Sequence, residues 1–312
     1  MTTHRLDASQ VHYEWNNALP PRLEIDPGDI VVFDTRDAAD GHYKPTSTHA
    51  DVMARGPFRG HPLTGPVRVR GAQPGDVLVV EIQAVRPRAP FGWTAIRPGR
   101  GLLPESDFDK PFLQIWDVSD GGFARMGKHG VAVPLEPFPG VMGTALPEPG
   151  GHSTMPPRKN GGNMDIKQLT AGTTLYLPVW VDGALFSVGD GHGAQGDGEV
   201  CVTAVEMQAQ VTARFDLLRG RGLAEPQLRT GGPLGVPTNR GRYYATTAHG
   251  PDLFASAQQA VRYMIAHLVA ERGLSREEAY ILSSVAVDLK ISEIVDAPNW
   301  IVSAFLPESV FP

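Results

Sequence analysis

One cysteine, Cys201, among 312 residues excludes an internal disulfide. No apolar run reaches the roughly 18 to 20 residues needed to cross a bilayer; the best, Leu175 to Val188, is interrupted by Pro178 and Asp182. The opening Met-Thr-Thr-His-Arg-Leu-Asp lacks the apolar centre of a signal peptide, so the expectation is a cytoplasmic protein without a membrane partner. Runs of like charge are also missing. With 28 Lys and Arg against 34 Asp and Glu, the net charge of −6 leaves no electrostatic footprint for nucleic acid. Disorder of the whole chain is excluded by 41% apolar and 20% charged residues, which suffice for one large core or two to three smaller ones.

Turn residues are plentiful. The 35 glycines and 28 prolines exceed a fifth of the chain and punctuate apolar runs, a composition that favours short strands joined by tight turns. The clearest predicted strands are Ile30–Phe33 after Asp26-Pro27-Gly28-Asp29, Val77–Ile82 after Gln73-Pro74-Gly75-Asp76, and Thr174–Val181 after Ala171-Gly172. The repeated Pro-Gly-Asp points to two similarly built β units. Between Arg86 and Gly151 the periodicity dissolves into Pro, Gly and isolated aromatics, which reads as long irregular connections with a few strands. Apolar residues spaced by three and four predict a helix from Asp252 to Arg272, ended by Gly273. Ser275 and Glu278 form a capping-box pattern that predicts a second helix over about 276–284, with strand-like runs at Val285–Ile291 and Trp300–Leu306. The fold class is therefore mainly β with a C-terminal α+β portion, divided into β-rich units of the sandwich and barrel kind over 1–215 and an α+β part with two helices over 216–312.

Polar chemistry concentrates between residues 158 and 206. On an extended backbone Asn163 and Asp165 share a side, as do Asp190 and His192, and as do Asp197 and Glu199. Glycines at 189, 191, 193, 196 and 198 leave room for backbone or a small ligand to approach. Carboxylates and imidazole crowded and buried without partners would each cost several kcal/mol, so burial calls for a metal, a shared proton or a bound cation. A divalent metal satisfies them most simply. On spacing alone, a solvated glycine-rich hairpin is the commoner origin of such a pattern.

The runs Gly161-Gly162-Asn163-Met164-Asp165 and Ser187 to Glu199 resemble the signature of the acetamidase/formamidase family. So do Pro62–Pro66, Gly71–Asp76 and the tail from Ser275 to Pro307, so the resemblance covers nearly the whole chain. It implies a β-rich, oligomeric enzyme that hydrolyses a short-chain amide such as formamide or acetamide to a carboxylate and ammonia. The Arg158-to-Asn163 segment is similar to the formamidase branch. Two positions depart from the pattern: Val202, where members often have glycine, and Glu293, where glutamine is common.

Amide hydrolysis needs a strong nucleophile at neutral pH, stabilisation of the tetrahedral oxyanion and a proton for the departing nitrogen. A divalent cation meets the first two needs by acidifying a bound water and polarising the carbonyl. Asp165, Asp190 and His192 are the expected ligands, with Asp37 or His49 as additions. The mixed oxygen and nitrogen set suits zinc, whereas more oxygen ligands would favour calcium or magnesium. Glu199 is the expected general base, with His192 and Asp165 also placed in the catalytic group; Asn163, Gln195 and His152 are the expected substrate contacts. Cys201, between Val200 and Val202, reads as packing, and Ser187 with His192 as its base is a minor alternative nucleophile without a Gly-x-Ser-x-Gly elbow. A binding protein without turnover, holding an amide, amine or metal through Asp190 and His192, is the alternative function.

Overall fold

The two Pro-Gly-Asp turns build the same corner twice in the computed structural model, which describes residues 1–127, 129–232 and 241–311. Proline presets the first central position, and glycine takes the left-handed second one, with φ of 94° at Gly28 and 93° at Gly75. The aspartate N–H closes each turn onto Asp26 O (3.1 Å) or Gln73 O (3.0 Å). Its carboxylate then accepts the N–H of the same residue, at 3.2 and 3.0 Å. Each turn launches a strand, Ile30–Asp34 or Val77–Pro87, and both strands flank Ala209–Leu218 in antiparallel ladders. Thr3–Leu6, Thr174–Pro178 and Gln227–Arg229 complete this six-stranded sheet. Thr174–Pro178 is shorter than expected because Pro178 has no N–H to continue the ladder.

A larger ten-stranded sheet carries Phe186–His192 at its centre. On one side it pairs with Phe138–Gly143; on the other it pairs with Thr64–Val69 at its start and Glu206–Met207 at its end. Phe33, Val80 and Phe215 of the first sheet pack against Phe138, Phe186 and Val188 of the second, forming the core of a sandwich. The Phe33, Phe186 and Phe215 rings lie 5.0 to 6.0 Å apart, and burying each contributes about 1.5–3 kcal/mol. The region from 86 to 151 is more regular than its sequence suggests, because Phe91–Ile96, Phe112–Asp117, Phe123–Arg125 and Ala132–Pro134 extend the same sheet.

The Asp252 carboxylate accepts the Ala255 N–H at 2.9 Å and starts the helix Leu253–Arg272, which Gly273 ends at φ 65°. The Ser275 and Glu278 capping box starts Arg276–Ala286, which runs past the expected end, so the next strand begins at Asp288 instead of Val285. These helices pack on a three-stranded sheet, Tyr243–Gly250, Trp300–Pro307 and Asp288–Glu293. They share one apolar core with Trp116, Val131 and Val200, and the boundary expected at 215 falls inside the strand Ala209–Leu218. Among the described residues no helix is long and apolar enough to cross a membrane.

Candidate active site

Strand register sets the centre of the site. His192 stands directly across from Glu206, and on the other flank of Glu206 lies Trp93. His192 Nε2 is 3.3 Å from Glu206 Oε2 and 3.4 Å from Asp190 Oδ2, while Nδ1 is 4.0 Å from Asp165 Oδ1. Donor atoms of Asp165, Asp190 and His192 lie within 4.8 Å of one another, and so do those of His192, Glu199 and Glu206. The structure therefore gathers the sequence-predicted residues Asp165, Asp190, His192 and Glu199 around one imidazole.

Simple strand alternation does not achieve this. Asp165, Asp190 and Glu199 have φ of 48°, 58° and 42°, left-handed values that turn each carboxylate out of the path an extended backbone would give it. Asp197 consequently leaves Glu199 and faces Lys167, at 3.8 Å. Gly140 makes the space: a Cβ there would come within 2.5 Å of Asp165 Oδ1 and 3.0 Å of Asp190 Oδ2.

Gln195 locks the imidazole. Its Nε2 donates to the Asp165 carbonyl at 2.7 Å, and because that carbonyl can only accept, Oε1 must face His192 Nδ1, at 2.9 Å. Nδ1 therefore carries a hydrogen, and Nε2 is the atom turned toward Asp190 and Glu206. Both ends of Gln195 are committed, so it positions the site and does not reach substrate, contrary to the sequence reading. Asn163 lines the cavity and offers it an acceptor: Nδ2 donates to Met155 O at 3.0 Å, leaving Oδ1 buried and without a partner among the described residues.

Other predicted residues lie elsewhere. The Asp37 carboxylate accepts from Ala39 N (2.9 Å), Gly41 N (3.1 Å) and Trp93 Nε1 (3.3 Å), which shapes the cavity wall and leaves it outside the ligand cluster. His49 accepts the Leu113 N–H at 2.9 Å and stacks on Phe112. His152 pairs with Trp15 in a short ladder and bonds Glu148 O at 3.1 Å, away from the cavity. Ser187 bonds His12 Nε2 at 2.8 Å and not His192, because strand alternation sends it to the opposite side. Cys201 is buried among Ala95, Thr203 and Ser284, and burial pushes its thiol up to about 11. Sequence reasoning missed Glu206 and His61. A carboxylate inside the apolar run Val205-Glu206-Met207 was the available signal for the first; nothing local distinguishes His61, whose Nε2 is 3.7 Å from Asp190 Oδ2 and whose Nδ1 lies 3.1 Å from Thr154 Oγ1.

The electrostatics show what the cluster lacks. Burial raises Asp165 and Glu206 to about 7, and burial together with the Asp165 charge holds Glu199 well above the usual carboxylate range. Burial also opposes charge on Asp190 and His192, but they overcome it together: His192 and His61 hold Asp190 low, and Glu206 and Asp190 hold His192 high. Asp165 Oδ1, Asp190 Oδ1, His192 Nε2 and Glu206 Oε2 are all buried without a hydrogen-bond partner among the described residues. Orphaned atoms on residues gathered about His192, three of which border the space at Gly140, fit a bound cation. Above them opens a cavity of about 660 Å³, walled by Tyr43, Phe58 and Trp93 and reached by Asn163 and Glu199.

Known proteins share this architecture. The solved gamma lactamase from Delftia acidovorans superimposes with a TM-score of 0.90 at 28% identity, covering 100% of this chain and 93% of its own. An acetamidase from Bacillus halodurans gives a TM-score of 0.68 at 32% identity, with 98% of both chains covered. The formamidase of Methylophilus methylotrophus is 29% identical over 97% of this chain and 89% of its own. The family model described as Acetamidase/Formamidase matches residues 2–150 and 147–312, so the chain belongs to the acetamidase/formamidase family.

Proposed function

We propose that the protein hydrolyses small carboxamides to a carboxylate and ammonia, using a divalent cation held by Asp165, Asp190, His192 and Glu206. The observation that carries the cation is the pair of ligand-competent triads that meet at His192, one with Asp165 and Asp190 and one with Glu199 and Glu206, with buried side-chain atoms of Asp165, Asp190, His192 and Glu206 lacking a partner among the described residues. Family membership and the formamidase and acetamidase relatives support the reaction.

When bound, the cation would supply an acidified water and a polarised carbonyl. The chain supplies the rest. Gln195 keeps hydrogen on His192 Nδ1, so Nε2 faces the cluster as a ligand. The Asn163 Oδ1 acceptor suits a substrate amide N–H and orients the nitrogen. Glu199 lines the cavity beside Asp165; it takes the proton released as water attacks and returns it to the nitrogen as the C–N bond breaks. The Trp93 and Tyr43 rings limit water around the reacting amide. A histidine among carboxylates is a zinc-type donor set, and zinc is the proposed ion.

A second reading is favoured by the 0.90 superposition on the gamma lactamase: the amide is cyclic and the amine stays tethered after cleavage. Elemental analysis of the purified protein, then chelation and assays for ammonia and for a ring-opened amino acid, tests both. Stoichiometric divalent metal with metal-dependent ammonia release is expected. Equal turnover after complete removal of the metal would reject the cation, and ring opening without ammonia release would select the second reading.

A further inference from the structure

The cavity is far larger than formamide or acetamide requires, since pockets of about 300–1,000 Å³ hold drug-sized ligands, and this one measures about 660 Å³. Its outer part is cationic. Arg55, Arg97 and Arg100 line it, above a carboxylate floor. Arg97 donates to Gly56 O at 3.2 Å, and Arg55 donates to Ala38 O, so each is anchored through one N–H, with the remainder of its fork making no hydrogen bond among the described residues. Among the described residues the arginine ion pairs belong to other arginines, and none reaches these three.

Apolar wall joins rim to floor. The Arg55 guanidinium carbon sits 5.8 Å over the Phe58 ring, that ring lies 4.9 Å from His61, and His61 Nε2 is 3.7 Å from Asp190. Val202 adds to the wall: it is 40% exposed, lines the cavity and holds a φ of 69° that a β-branched residue adopts only under strain. A ligand matched to this path has an amide at one end, a short apolar chain and an anion at the other. Guanidinium forks held in advance by backbone carbonyls favour a planar carboxylate.

We propose that the substrate is a primary amide whose acyl chain ends in a carboxylate, the monoamide of a short dicarboxylic acid, with Arg55, Arg97 and Arg100 receiving the carboxylate. This rests on the hydrolytic reading. Water oxygen bonds to the carbonyl carbon, the C–N bond breaks, and the products are the dicarboxylate and ammonium.

The test uses the full chain as purified, with succinamate, glutaramate and adipamate, each set against a neutral analogue bearing isopropyl in place of carboxylate. For at least one pair, kcat/KM is expected to favour the anion about tenfold or more, as charge-assisted pairing would give. The Arg55→Gln/Arg97→Gln variant should bring that ratio toward one, with Arg97→Lys between. A ratio at or below one in all three pairs overturns the proposal. A preference that persists in the double variant and in Arg100→Gln overturns it too. Should the protein release ammonia from no amide, formamide and acetamide included, the hydrolytic reading fails and calorimetric titration with succinate decides: saturable binding weakened about tenfold in the double variant upholds the anion site, and no binding rejects it. If the double variant does not fold, the wild-type ratio and the succinate titration decide.

Discussion

Gln195 Oε1 accepts the His192 Nδ1 hydrogen at 2.9 Å while the Gln195 amide nitrogen is tied to the Asp165 carbonyl at 2.7 Å. One side chain thus sets the tautomer of the imidazole and the position of a carboxylate. Gln195→Leu removes both. Outer partners of metal-binding histidines typically contribute about 10–100-fold in metal affinity or activity. A loss of that size is expected in ammonia release and in retained metal, measured by elemental analysis after mild chelation. An unchanged metal content would show that His192 needs no such anchor.

Glu206 raises a sharper contrast. Without a cation it adds a carboxylate to a crowded, buried set. Glu206→Gln should therefore unfold at a higher temperature than wild type when both are stripped of metal, and at a lower one when both are loaded, because ligand binding stabilises only the native state. Thermal melts in chelator and in zinc check the crossing.

Gly140→Ala places a methyl group 2.5 Å from Asp165 Oδ1. Amide hydrolysis should fall by two orders of magnitude or so, through displacement of a carboxylate from its place. Far-ultraviolet circular dichroism should remain that of the wild type. Retained turnover would mean that the cluster tolerates the added volume.

Val202→Gly should be tolerated unusually well. A left-handed backbone costs a side-chain-bearing residue about 1–2 kcal/mol, which glycine avoids, offsetting the entropy glycine loses on folding. The expected melting temperature is equal to or above that of wild type. A fall of several degrees would show that the Val202 contacts outweigh its strained φ of 69°.

Asp29 links stability to acid. Burial works against its charge, but hydrogen bonds from Thr2 N, His4 and Asp26 N outweigh burial and hold it at about 2, below its ordinary 3.8. A folded value below the unfolded one means stability present above the unfolded pKa and lost as pH falls through the folded pKa. Asp29→Asn should cost about 1–2 kcal/mol at neutral pH, a deficit that shrinks between pH 4 and 2. Denaturant titrations across that range measure it; a constant deficit would contradict the linkage.

Local chemistry made much of the fold readable. Pro-Gly-Asp defines its turn whatever surrounds it, and both copies start strands of one sheet. The Ser275 and Glu278 box likewise starts its helix through contacts three residues apart. Between 86 and 151 the sequence shows only that a few strands are present, because short strands interrupted by Pro and Gly show little alternation, and it is the neighbouring strands that hold them in the sheet.

The site divides along the same line. That Asp165, Asp190, His192 and Glu199 would be gathered followed from acids and imidazole in glycine-laden segments, where burial demands compensation. Which further groups join them was decided by tertiary structure alone: Glu206 arrives through its register with His192, His61 from a loop over a hundred residues earlier, and Asp37 and His49 are drawn off by nearer N–H donors. Residue type and spacing determine what a segment needs locally, since turn and cap hydrogen bonds close within a few residues. Long-range partnership depends on strand register and on backbone angles such as the left-handed Asp190, which no stretch of sequence specifies without the sheet around it.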